Sequence, residues 1–147
     1  MTELRPHHVV CLAAFIGRGY SPEFIEAFQR LQALYLNPET RVELVRGPDT
    51  ACRACPNLSD GRCALDDHAV AILDERVRVA LSLAQTEYTT GELHRRLAVY
   101  LADHDLAELC GECRWRDEVD CAAVIDQRLN ELGPAWVDHR PRPRFGR

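Results

Sequence analysis

Apolar residues recur at helical spacing along most of the chain. His8, Val9, Leu12, Phe15 and Ile16 form the first such stripe, behind a proline, Pro6, that suits a helix's first turn. Gly17 and Gly19 interrupt it. A second helix is predicted from Ser21 as N-cap and Pro22 at the first helical position, with Phe24, Phe28, Leu31 and Tyr35 inward. It should stop near Asn37, because the residue before Pro38 is biased away from helical geometry. Around "TRVELVRG" the period changes to two, with Val42 and Leu44 alternating against Arg41 and Glu43, which reads as a short strand. Val70, Leu73, Val77 and Leu81 mark a third helix. Leu93, Leu97 and Tyr100, capped by Thr89 or Thr90, mark a fourth. A turn at "LAEL" precedes a fifth, carrying Cys121, Val124, Ile125, Leu129 and Leu132 and ended by Gly133 and Pro134. The expected fold class is mainly α: one small helical domain over residues 1–138, with about five helices, a short strand or hairpin and two cysteine-rich metal-binding loops. The Arg/Pro stretch over 139–147 has too few apolar residues to pack and is expected to be disordered.

Composition narrows the class without naming a function. At 147 residues, 46% hydrophobic and 28% charged, the chain can bury a core without crosslinks. Its net charge of -5 argues against general nucleic-acid binding. No apolar run approaches the roughly 20 residues needed to cross a bilayer. The acidic Glu3 and the paired histidines do not suit a secretory signal, so a cytoplasmic location is expected. Thiols in a reducing compartment hold metal or do redox chemistry more often than they form structural disulfides.

Seven cysteines carry the chemistry. Cys52, Cys55 and Cys63 are spaced C-x2-C-x7-C, and Cys110, Cys113 and Cys121 repeat that spacing with different residues between them. A C-x2-C pair turns two thiolates toward one centre, where backbone N–H groups can stabilise their charge. The third cysteine returns across a loop. Three thiolates are one short of a closed zinc site or an ordinary cubane cluster. The missing donors could come from the first helix. His7 lies four residues and His8 three residues before Cys11, so either shares a face with it. The spacing differs from that of common zinc fingers, and Cys55 precedes Pro56, a step also found in ferredoxin-type runs. Iron–sulfur binding is therefore the leading reading, with zinc the alternative and bare thiols the third. Cys11 reads equally well as a ligand or as a small core residue. His7 and His8 read as proton-transfer groups or ligands, or as polar residues of a helix start. Trp115 reads as shielding, and His68, His94, His104 and His139 as surface residues.

The stretches "LRPHHVVCLAAFIGRGYSPEF", "VRGPDTACRACPNLSDGRC" and "LCGECRWRDEVDC" together resemble the DUF1284 family over Leu4 to about Leu132. These are small bacterial and archaeal proteins of unassigned activity, thought to bind iron–sulfur clusters. The resemblance implies that His7, His8 and Cys11 stand with both triplets as motif positions. One or two clusters, of the 4Fe–4S type, are expected. Their work would be electron transfer to a redox partner protein, or a reaction on a small-molecule substrate at an open iron near His7 and His8. The alternative is structural zinc in an interaction module.

Overall fold

A computed structural model describes residues 2–17, 21–47, 49–50, 58–59, 62–63, 67–110 and 121–131, with backbone alone at 58–59, 62–63, 67 and 110. In chain order the elements are β1 (Thr2–Leu4), α1 (Pro6–Ala14), α2 (Pro22–Leu36), β2 (Arg41–Leu44), β3 (Leu58–Ser59) and β4 (Arg62–Cys63). They continue as α3 (Asp67–Ala80), β5 (Glu87–Thr89), α4 (Thr90–Asp103), α5 (Ala107–Cys110) and α6 (Cys121–Glu131). The fold is mainly helical, as the apolar periodicity requires. The turn expected at "LAEL" is the short helix α5.

Local chemistry explains the best-defined elements. Ser21 caps α2, accepting from the Phe24 N–H at 3.1 Å, and Pro22 follows at a position that needs no donor. Phe24, Phe28, Leu31 and Tyr35 are buried in the expected stripe. Thr89 caps α4 in the same way, accepting from the Glu92 N–H. β2 occupies the stretch where the period changes to two. It is the middle strand of a three-stranded sheet, parallel to β1 and antiparallel to β5. Gly91 fixes the turn into α4, where its N–H reaches the Pro38 carbonyl at 2.9 Å. A Cβ there would stand 2.9 Å from the same oxygen.

α1 lies at the centre of the helical layer, packed against α2, α3, α4 and α6. Val9, Val10, Leu12 and Ala13 are all buried, so the stripe is wider than an ordinary surface helix needs. The helix ends at Ala14, and Ile16, placed inward by periodicity, is 46% exposed. The last carbonyls of α1 are met from neighbouring helices. Gln32 donates to the Leu12 and Phe15 oxygens at 2.8 and 3.0 Å, and Arg128 donates to the Ala13 oxygen at 3.1 Å. Tyr35 Oη donates to the Val9 carbonyl at 2.8 Å. No helix among the described residues is long and apolar enough to cross a membrane. The stretch 139–147 expected to be disordered lies outside the described residues.

His94 corrects the expectation of a surface residue. It is fully buried on α4, edge-on to Tyr35 with ring centroids 4.6 Å apart, and among the described residues neither ring nitrogen has a hydrogen-bond partner. A helix periodicity that sets Leu93 and Leu97 inward also brings the intervening His94 within the buried arc. Burial pushes its pKa down from 6.5 to about 4, and the Tyr35 backbone opposes this without offsetting it. The unfolded chain therefore takes up this proton first as pH falls. Stability is complete above about pH 6.5 and declines as pH drops toward 4. The contribution lost is on the order of 3 kcal/mol at most. His94→Leu should remove it. Urea unfolding at pH 7 and 4.5 should show a smaller acid loss in the variant than in the parent, and equal losses would remove His94 from the account.

Candidate functional site

The start of α1 spans four backbone positions, three of which carry an N–H. Arg5 stands at the N-cap with extended backbone and no side-chain capping bond, and Pro6 has no N–H to satisfy. The Arg5 N–H donates to Asp49 Oδ2 at 2.6 Å, and the His7 N–H to Asp74 Oδ1 at 3.0 Å. The His8 N–H returns to the Arg5 carbonyl at 3.0 Å. Two carboxylates from distant segments thus replace a local cap at the positive end of the helix dipole. Asp74 comes from the middle of α3. Asp49 comes from the connection after β2, where Thr50 bonds Glu3 of β1 through its backbone N–H and its hydroxyl, both at 3.3 Å.

The same carboxylates orient the two imidazoles. His7 Nδ1 lies 2.6 Å from Asp74 Oδ1, and His8 Nδ1 lies 2.6 Å from Asp49 Oδ2. A carboxylate only accepts, so Nδ1 carries a proton in both rings, and in the neutral form of each ring the lone pair sits on Nε2. Arg5 Nε closes the group by donating to Asp74 Oδ2 at 2.7 Å. Asp49 and Arg5 are buried, and both imidazoles are nearly so. The ring centroids of His7 and His8 are 4.3 Å apart, with planes tilted by 56°. Phe28 stands edge-on to His8 at 5.7 Å. Among the described residues neither Nε2 has a hydrogen-bond partner.

Burial, and then the neighbouring His8, push the His7 pKa down to about 4 against the pull of Asp74. Burial alone would raise Asp74. The hydrogen bond and charge of His7, with Arg5, outweigh it and hold the carboxyl below its ordinary value.

The structure brings His7 and His8 together. Cys11 follows one turn later, partly buried against the core, as is Cys121, the first residue of α6. Cys63 ends β4, where the β3–β4 hairpin sets it opposite Leu58, three residues from Cys55. Cys110 ends α5. The side chains of Cys63 and Cys110, and all of Cys52, Cys55 and Cys113, lie outside what is described. Among the described residues no three metal-ligating side chains converge.

Arg5, Asp49 and Asp74 were not legible as site residues. Asp74 carried a signal: it falls on the inward arc of α3, four residues after Val70 and three before Val77. A carboxylate there must find a partner or be excluded from the core. Asp49 sits in a turn sequence that predicts only a turn, and Arg5 precedes a proline that predicts only a helix start.

The family model of DUF1284, described as a protein of unknown function, matches residues 19–119, and the chain belongs to that family. Neither a curated protein nor a solved structure matches it.

Removing the Asp74 carboxylate takes a charge partner from the buried Arg5 and an acceptor from two groups of His7. Asp74→Ala should cost about 3 kcal/mol of folding free energy. Glu26→Ala removes an exposed partner of Arg30, at 3.1 Å one helical turn away, and should cost less than about 0.5 kcal/mol. Paired denaturant titrations read both, and comparable losses would contradict the structural weight given to Asp74.

Proposed function

We propose that this member of the family is an iron–sulfur cluster-binding protein, with its thiols supplied by the two C-x2-C-x7-C triplets and Cys11. It would transfer electrons or run a cluster-dependent reaction at an open iron near His7 and His8. The observation that carries this reading is the position of α1. The first triplet ends at Cys63, four residues before α3, and the second ends at Cys121, where α6 begins. Both α3 and α6 pack on α1, the helix that bears His7, His8 and Cys11.

The donor chemistry fits the group. β3 and β4 pair antiparallel and set Cys63 opposite Leu58, a reversal that suits a triplet whose thiolates are to share one centre. Cys11 and Cys121 are held at partly buried positions against one core, where a thiolate bound to metal is shielded from water. A cluster held by three cysteines would supply an open, Lewis-acidic iron. This chain's contribution beside it is a pair of imidazoles whose orientation is fixed by Asp49 and Asp74. Structural zinc is the second reading, because the same thiol sets suit a soft or borderline metal.

Iron, zinc and acid-labile sulfide per chain, measured on protein purified without oxygen, test the reading directly. Iron and sulfide together are expected, and Cys63→Ser and Cys121→Ser should each lower both. Zinc without sulfide would transfer the assignment to the second reading, and a chain free of both metals would end the proposal. Stripping the metal should also lower the melting temperature by several degrees, since ligands from separate segments are then no longer tied together.

A further inference from the structure

We infer that His7 and His8 form a metal-binding pair of their own, holding a divalent first-row transition-metal ion through their Nε2 atoms. The inference stands whether or not the thiols hold a cluster. Three observations carry it.

The first is the protonation pattern. Each Nδ1 is committed to a carboxylate at 2.6 Å, so it is Nε2 that each ring, when neutral, can offer as a ligand. A metal-ligating histidine almost always donates its other N–H to a carboxylate, a carbonyl or water, which fixes the ring and raises its basicity. Here two neighbouring rings have that backing, from two different segments.

The second is spacing. A ring centroid lies roughly 3.2 Å from a metal bound at its Nε2, given metal–nitrogen distances of about 2.0–2.1 Å. Where both Nε2 atoms face one ion, two rings with centroids 4.3 Å apart subtend about 85° at it. That is close to the angle between adjacent octahedral positions.

The third is rigidity. Asp74 accepts from the His7 backbone as well as its ring, and Asp49 accepts from the Arg5 backbone as well as the His8 ring. The rings therefore cannot turn away without disturbing the start of α1. Behind the rings stand the Asp49 and Asp74 carboxylates, with the Arg5 guanidinium offsetting part of the Asp74 charge. Imidazole donors suit zinc, iron, nickel and copper, whereas calcium and magnesium prefer oxygen. Two protein nitrogens leave further positions on the ion for water or substrate.

The test uses the full chain labelled with 15N-histidine and titrated with Zn2+ under anaerobic conditions. Long-range 1H–15N correlation spectra report the tautomer and the metal-bound nitrogen of each ring, with His7→Gln and His8→Gln giving the assignments. Nδ1–H tautomers are expected for both rings before metal. Both Nε2 signals should then shift together on binding, while those of the exposed His68 and His104 stay in place. Asp49→Asn and Asp74→Asn should each weaken this site by about 10- to 100-fold in competition with a chelator. Zinc uptake that leaves both Nε2 signals unmoved, movement of one ring alone, or unchanged affinity in both asparagine variants would each overturn the inference. Acid-labile sulfide, measured on the same preparations, separates this result from the fate of the iron–sulfur reading.

Discussion

The N-terminus of α1 depends on two carboxylates that are remote in sequence. The helix has no side-chain cap, yet every N–H in its first turn is accounted for by Asp49, Asp74, Arg5 and a proline without a donor. Asp49 ties the helix start to the connection that pairs with β1, and Asp74 ties it to α3. One small set of charged hydrogen bonds thereby fixes the junction of the sheet, the central helix and the helix after the first cysteine triplet. The other end of α1 is held by Gln32 and Arg128, from α2 and α6. The helix is only nine residues long and would be marginal alone, so its neighbours hold it in place at both ends.

Such an arrangement is a costly way to stabilise a fold. Burying two carboxylates and a guanidinium gives up hydration that the ion pairs only partly restore, and an apolar replacement of similar shape often serves stability as well. A serine at the N-cap would satisfy the helix start locally at less desolvation cost. What the carboxylates add is the fixed orientation of two imidazoles. That is the feature a ligand-binding or reactive site needs and a hydrophobic core does not.

The parts of this fold legible in the sequence were those set by local chemistry. α2 was readable end to end because Ser21, Pro22, a clean apolar stripe and Pro38 all act within a few residues of where they lie. β2 and the cap of α4 were readable for the same reason. β1 and β5 were not, because three residues each carry too little periodicity and their pairing is with a strand roughly forty residues away. α1 was placed correctly at its start, but its inward face was drawn too narrowly, since the helices surrounding it come from later in the chain. The histidine pair was singled out by its spacing to Cys11. Its supports, at 41 and 67 residues' separation, left only the one hint at Asp74. His94 was misplaced because no convergent spacing singled it out, whereas its position on α4 says core.

The double duty of Asp49 and Asp74 couples site and fold. Any ligand that fixes the imidazole rings also fixes the carboxylates behind them, and those carboxylates hold the first turn of α1. Occupancy at the rings must then favour the docking of α1 on α3, and a loosened α3 must weaken what the rings hold. α3 begins four residues after the first cysteine triplet ends, and α6 begins with the last cysteine of the second. Because both pack on α1, changes at the thiols have a short mechanical route to the nitrogens. On the proposed readings, the central helix would be the shared member of two ligand sets, one of sulfur and one of nitrogen, each biasing the position of the other.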